Sequence, residues 1–167
     1  MKPASETNGT QRRFFVTGKG EAIQRPPWTT ELRVKESCTS CGDCIAACPE
    51  AILVKGPANT PTLDFALGAC TFCKKCAEAC DEDVFADHAT SPWDLKASIK
   101  SNCMLSNGIS CQICSDACLD EALKFDLSHL PSGRMDIKID ACTGCGACAS
   151  VCPVDAIELQ TQRATHV

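Results

Sequence analysis

The stretch CTSCGDCIAACPEAIL, residues 38–53, places cysteine at every third position three times and then once more four residues on. The same C-x2-C-x2-C-x3-C spacing returns at Cys70, Cys73, Cys76 and Cys80, and again at Cys142, Cys145, Cys148 and Cys152. A fourth group, Cys103, Cys111, Cys114 and Cys118, keeps the spacing except for seven residues (MLSNGIS) between its first two members. These four groups account for all sixteen cysteines of the 167-residue chain.

Three closely spaced thiolates followed by a fourth suit a 4Fe–4S cube: a tight loop takes three iron corners, and the fourth cysteine reaches across to a second cube. Zinc sites instead space their C-x2-C pairs by a longer insert. Disulfides are disfavoured in a reducing compartment. Tyrosine is absent and the aromatics number eight, six Phe and two Trp. So small a set of large side chains calls for a metal staple. The glycines Gly42, Gly144 and Gly146 fall where backbone must approach a cluster.

The chain repeats. PPW at 26–28 and SPW at 91–93 each place tryptophan ten residues before a cysteine, Cys38 and Cys103, at a shift of 65 residues. The shift grows to 70 after the insertion and to 72 from Cys70/Cys142 onward. Between the first and second groups, and between the third and fourth, a short alternating apolar segment, a turn rich in Pro, Gly, Asn or Ser, and a second short segment predict a hairpin. Between Cys80 and Cys103 the sequence predicts a linker with a short helix. The expected class is therefore α+β: two tandem bacterial-type two-cluster ferredoxin modules of short β-hairpins and short helices, over 26–90 and 91–160. A flexible basic arm (1–25) precedes them and a polar tail (161–167) follows.

Two pairings of the groups are open. Joining one with two and three with four, as the hairpins suggest, gives Cys38, Cys41, Cys44 and Cys80; Cys70, Cys73, Cys76 and Cys48; Cys103, Cys111, Cys114 and Cys152; and Cys142, Cys145, Cys148 and Cys118. A nested pairing, one with four and two with three, is suggested by proline following the last cysteine in the outer groups alone (Pro49, Pro153), with Asp81 and Leu119 in its place in the inner two.

Charge is divided. Residues 1–35 carry seven Lys/Arg against three Glu, and the remainder nine against eighteen acids, for a net −5. Four thiolates on a 2+ cube add about −2 per cluster, so the loaded body is more acidic still. A basic arm on an acidic body argues against nucleic acid and for docking to a protein. The pair Arg12-Arg13 before Phe14-Phe15 looks like the start of a twin-arginine export signal. Such a signal needs an apolar run of roughly 7–15 residues, and FFVTGKGEAIQRPPW breaks it with charges and glycines. Nothing approaches the roughly 18 apolar residues of a membrane span. The expected location is the cytoplasm, with no membrane span.

Taken together, Arg12-Arg13, RPPW at 25–28, the F-x-x-G-x-C-x-F-C pattern over Phe65–Cys73, PWDL at 92–95, the stretched third group and the closing CTGCGACASVCPVDAI resemble the NapF family of ferredoxin-type proteins. The resemblance covers nearly the whole chain. It implies four 4Fe–4S clusters, a cytoplasmic location and contact with the catalytic molybdenum subunit of periplasmic nitrate reductase before export. The implied role is maturation, through electron supply or iron–sulfur loading, with Arg12 and Arg13 as partner-binding residues. The alternative is a general electron carrier, or an electron-transfer subunit of a cytosolic oxidoreductase.

The sequence holds no nucleophile–base set, catalytic carboxylate pair or nucleotide loop, so no catalytic residue is expected. His88, His129 and His166 are expected at the surface, since sixteen cysteines fill four cubes. Trp28 and Trp93 are read as caps on the apolar side of each module, Lys74 and Lys75 as a solvated face of the second loop, and MLSNGIS as a determinant of solvent access to the third cluster.

Overall fold

The computed structural model describes residues 23–86, 91–129 and 131–161. Most of the basic arm, with Arg12 and Arg13, lies outside the described residues, as do His88, His166 and residues 162–167.

The first half runs α1 (Glu31–Ser37), α2 (Asp43–Ala46), β1 (Leu53–Lys55), β2 (Pro61–Leu63) and α3 (Lys75–Glu78). The second runs β3 (Leu95–Ile99), α4 (Ile113–Asp116), β4 (Leu123–Asp126), β5 (Arg134–Ile137), α5 (Ala147–Ser150) and β6 (Ile157–Thr161). Both expected hairpins form. β1 and β2 pair antiparallel with Leu53 opposite Leu63, both buried. β4 and β5 pair with Leu123 opposite Ile137 and with Lys124 and Asp126 facing Asp136 and Arg134. Opposite charges across the ladder and apolar pairs at its cluster end fix the register, because a one-residue slip exchanges the faces.

The segment between Cys80 and Cys103 departs from expectation. In place of a short helix, Leu95–Ile99 forms β3, antiparallel to β6, with Ala97 opposite Leu159 and Ile99 opposite Ile157. The period-2 order Leu95, Ala97, Ile99 matches a half-buried strand, and Leu95 and Ala97 are buried. Its partner lies about sixty residues away, so no local turn signal announces the pairing. Gln160 and Thr161 belong to this ladder as well.

The repeat is incomplete at the matching place in the first half. There Thr30 caps α1, its hydroxyl accepting from the Arg33 amide at 3.3 Å, with Glu31 in the first turn and Val34 buried. Three of the four cysteine groups end in one shared turn. Ala51, Glu121 and Asp155, each three residues past the last cysteine, have φ of 52°, 48° and 48°. Their amides donate to the carbonyls of Cys48, Cys118 and Cys152. The next residues, Ile52, Ala122 and Ala156, are fully buried. Leu119 thus supports the turn without proline.

The Cys80 exit does not follow this pattern. Val84 donates to Glu82 O at 2.8 Å, and the Thr29 hydroxyl donates to Val84 O at 2.7 Å. The segment ahead of α1 holds this exit, since Ala86 N–H also donates to Trp28 O.

Of the arm placed over 1–25, Gln24 and Arg25 are tied to the body. Gln24 accepts from the Leu63 amide and donates to Leu159 O at 3.0 Å.

Candidate iron–sulfur centres and the seam between them

In the first half, three cysteines of one loop gather with a fourth from the other group. Cys38, Cys41 and Cys44 line one cavity with Cys80. Cys70, Cys73 and Cys76 line a second with Cys48. In the second half, Cys103 and Cys111 lie about Cys114, and Cys142, Cys145 and Cys118 lie near Cys148. The β1–β2 and β4–β5 hairpins do the folding back, while α2 lies against α3 and α4 against α5.

Burial dominates the electrostatics of the bare thiols. It pushes Cys44, Cys70 and Cys114 up to about 11, and Cys76 and Cys148 up to about 12. Neighbouring thiols of the same set push further in the same direction. Gathering four sulfurs in a buried loop therefore opposes ionisation unless iron supplies positive charge. Backbone donors are already aimed at sulfur: Ala122 N–H to Cys118 Sγ and Ala156 N–H to Cys152 Sγ, both 3.2 Å, Phe72 N–H to Cys70 Sγ at 3.4 Å, and Ala97 N–H to Cys142 Sγ at 3.5 Å. Four soft donors per site with amides turned toward them fit 4Fe–4S ligation.

Gln112, at the helix-entry position of the third loop, has φ of −139°, whereas in the other three of the four loops that position is left-handed. Gly42 and Gly146 stand there with φ of 90° and 87°. In the second loop the position belongs to Lys74, at φ 65°, whose ammonium sits over the Trp28 ring, 5.8 Å from its centroid. Lys74 and Lys75 are exposed, as a solvated face requires, and Lys74 in addition leans on the Trp28 ring.

Trp28 is buried and meets Phe72 edge-on at 6.5 Å, and Phe72 meets Trp93 at 5.3 Å. Phe65 meets Trp93 at 6.1 Å. The two tryptophans therefore join one aromatic row where the halves meet, and do not cap separate modules. Trp93 Nε1 donates to Thr143 O at 2.9 Å. The F-x-x-G-x-C-x-F-C pattern finds its physical meaning here, since Phe65 and Phe72 join Trp28 as the first half's share of the row.

Two contacts escaped the sequence altogether. Cys70 N–H donates to Cys145 O at 2.7 Å, and Lys96 Nζ donates to Cys142 O at 2.5 Å. Both depend on how the halves dock or on the unforeseen β3. His129 is exposed, with Nδ1 3.1 Å from Asp126 Oδ2, as a surface histidine should be.

A family model described as a 4Fe–4S dicluster domain matches residues 37–84 and again 109–156. The protein named Ferredoxin-type protein NapF from Haemophilus influenzae is 41% identical over 162 residues, covering 89% of this chain and 92% of that one. Its namesake from Escherichia coli K12 is 36% identical over 150 residues, covering 87% and 92%. The chain belongs to the NapF family of ferredoxin-type proteins. The Escherichia coli K12 protein named Ferredoxin-type protein NapG is 29% identical over 162 residues, covering 81% of this chain and 68% of that one.

Two dicluster domains and sixteen cysteines make this a protein of four 4Fe–4S clusters, an electron-transfer protein. Among the described residues no helix is long and apolar enough to cross a membrane.

Proposed function

We propose that this chain assists maturation of the catalytic molybdenum subunit of periplasmic nitrate reductase in the cytoplasm, before that subunit is exported. The carrying observation is the match to proteins named NapF over nine-tenths of their length, supported by similarity to a protein named NapG. When bound, the clusters supply reversible one-electron exchange. The chain's own residues hold them and present them to the partner, either as electron supply or as a source of iron–sulfur units. Arg12 and Arg13, on the basic arm over 1–25, are the partner-binding residues, and opposite charge draws that arm to an acidic surface.

The cysteines sort by halves, over modules 26–90 and 91–160. Cys38, Cys41, Cys44 and Cys80 hold the first cluster, Cys70, Cys73, Cys76 and Cys48 the second, Cys103, Cys111, Cys114 and Cys152 the third, and Cys142, Cys145, Cys148 and Cys118 the fourth. The neighbours of Cys44, Cys76 and Cys148 favour this sorting over the nested one. Cys152 completes the third set by analogy with Cys80.

Anaerobic affinity capture tests the reading. Recovery of a molybdoenzyme precursor that still carries its export signal, lost on changing Arg12 and Arg13 to Ala, supports it. Recovery of cytosolic oxidoreductases alone overturns it in favour of a general carrier.

A further inference from the structure

The seam between the halves sits beside two particular thiol sets. The Cys70 amide donates to the Cys145 carbonyl at 2.7 Å, so a residue of the second loop is hydrogen-bonded to a residue of the fourth. Gly146, next in chain, lies so close to Phe65 that an added Cβ would stand 2.0 Å from its Cδ1. Phe65 packs against the apolar cores of both halves.

Within each half the sets also adjoin. Cys44 and Cys76 share one apolar core, Cys114 packs against the core that holds Cys148, and α2 lies against α3 as α4 lies against α5. The order along the molecule is then first, second, fourth, third.

We infer that the second and fourth thiol sets are the pair joined electronically across the seam, with Phe65 and Gly146 as the positioning residues that keep them in contact. The inference rests on the sorting of cysteines proposed above. It makes the protein one conduit with two ends. A one-electron donor protein oxidised at the first set and a one-electron acceptor protein reduced at the third exchange one electron per passage, and the chain is returned unchanged.

The test uses full-length, anaerobically reconstituted protein, fully reduced, with electron paramagnetic resonance as readout. Cys41→Ala, Cys73→Ala, Cys111→Ala and Cys142→Ala each remove one set. Loss of the second or fourth set should leave one cluster without a neighbour, seen as one signal free of interaction broadening. Loss of the first or third should leave none isolated. An isolated signal in Cys41→Ala or Cys111→Ala, or none in Cys73→Ala and Cys142→Ala, overturns the inference.

Iron analysis separates this from failure of the sorting. Each variant should lose one cluster's iron, and Cys41→Ala combined with Cys80→Ala should still lose only one, since both belong to the first set; loss of two clusters from that pair overturns the sorting itself. Phe65→Ala, which leaves every ligand in place, gives a second reading. It should weaken the broadening across the seam and spare that within each half, whereas broadening across the seam equal to the parent's overturns the positioning role.

Discussion

Arg25 Nε meets Glu31 Oε2 at 2.5 Å, and the same guanidinium donates through Nη1 to Thr60 Oγ1 and Pro61 O, both at 2.8 Å. One side chain, 8% exposed, thus binds the chain's entry to α1 and to the β1–β2 hairpin. Arg25→Ala removes three contacts of a largely buried guanidinium, while Glu31 keeps Lys35 at 3.4 Å and the Thr60 hydroxyl still donates to Pro57 O, and should cost about 2–4 kcal/mol. Glu31→Gln should cost less than about 1 kcal/mol, because its carboxylate is well exposed. The hydrogen bond and charge of Arg25 hold Glu31 below its ordinary value of 4.5. Its contribution is therefore complete above that value and is lost as pH falls through the lower folded one. Denaturation of the two variants between pH 3 and 7 checks both magnitude and sign.

Gly146→Ala meets two penalties, a φ of 87° and a Cβ driven into the Phe65 ring. We expect a loss of at least about 2 kcal/mol. Phe65→Ala combined with it should recover part of that loss, so the pair falls short of additivity. Thermal melts of the loaded protein, followed by cluster absorbance, give the comparison.

Lys74→Gly exchanges two opposed effects. The left-handed backbone at φ 65° is relieved, while the ammonium over Trp28 is lost. Each is worth about 1 kcal/mol, so stability should change little. Lys74→Ala keeps the strain and loses the contact, and should be the less stable of the two. The order of their melting temperatures checks this.

Removal of the clusters should unfold the chain. Cys44 and Cys76 lie inside one apolar core, and Cys142 and Cys148 inside the other. Stripping iron leaves the Cys44, Cys76 and Cys148 thiols, pushed up by burial, protonated and the surrounding loops without a centre. Oxidative chelation should abolish near-ultraviolet dichroism from the Trp28–Phe72–Trp93 row in step with cluster absorbance.

The cysteine spacing and the two hairpins were legible because each is a short-range pattern: a cysteine group within eleven residues, or sixteen in the stretched third, and strands joined by a turn. β3 was not legible, since Leu95–Ile99 reads as a strand only once Ile157–Thr161 is beside it. The α1 substitution escaped for a related reason. Trp28 and Trp93 share their distance to cysteine, yet Thr30, Glu31 and Val34 specify a helix where Leu95, Ala97 and Ile99 alternate. Proline after the last cysteine does not mark this turn by itself, for Glu121 makes behind Leu119 the turn that Ala51 makes behind Pro49. The Cys70–Cys145 bond has no local signature, because docking of the halves creates it.

Iron and acid-labile sulfide analysis of the anaerobically reconstituted protein tests the central claim most directly. Two dicluster domains predict sixteen of each per chain, with every cysteine protected from alkylation until the clusters are removed. Well under that number, with zinc in place of iron or with freely alkylated cysteines in the loaded protein, would contradict the account.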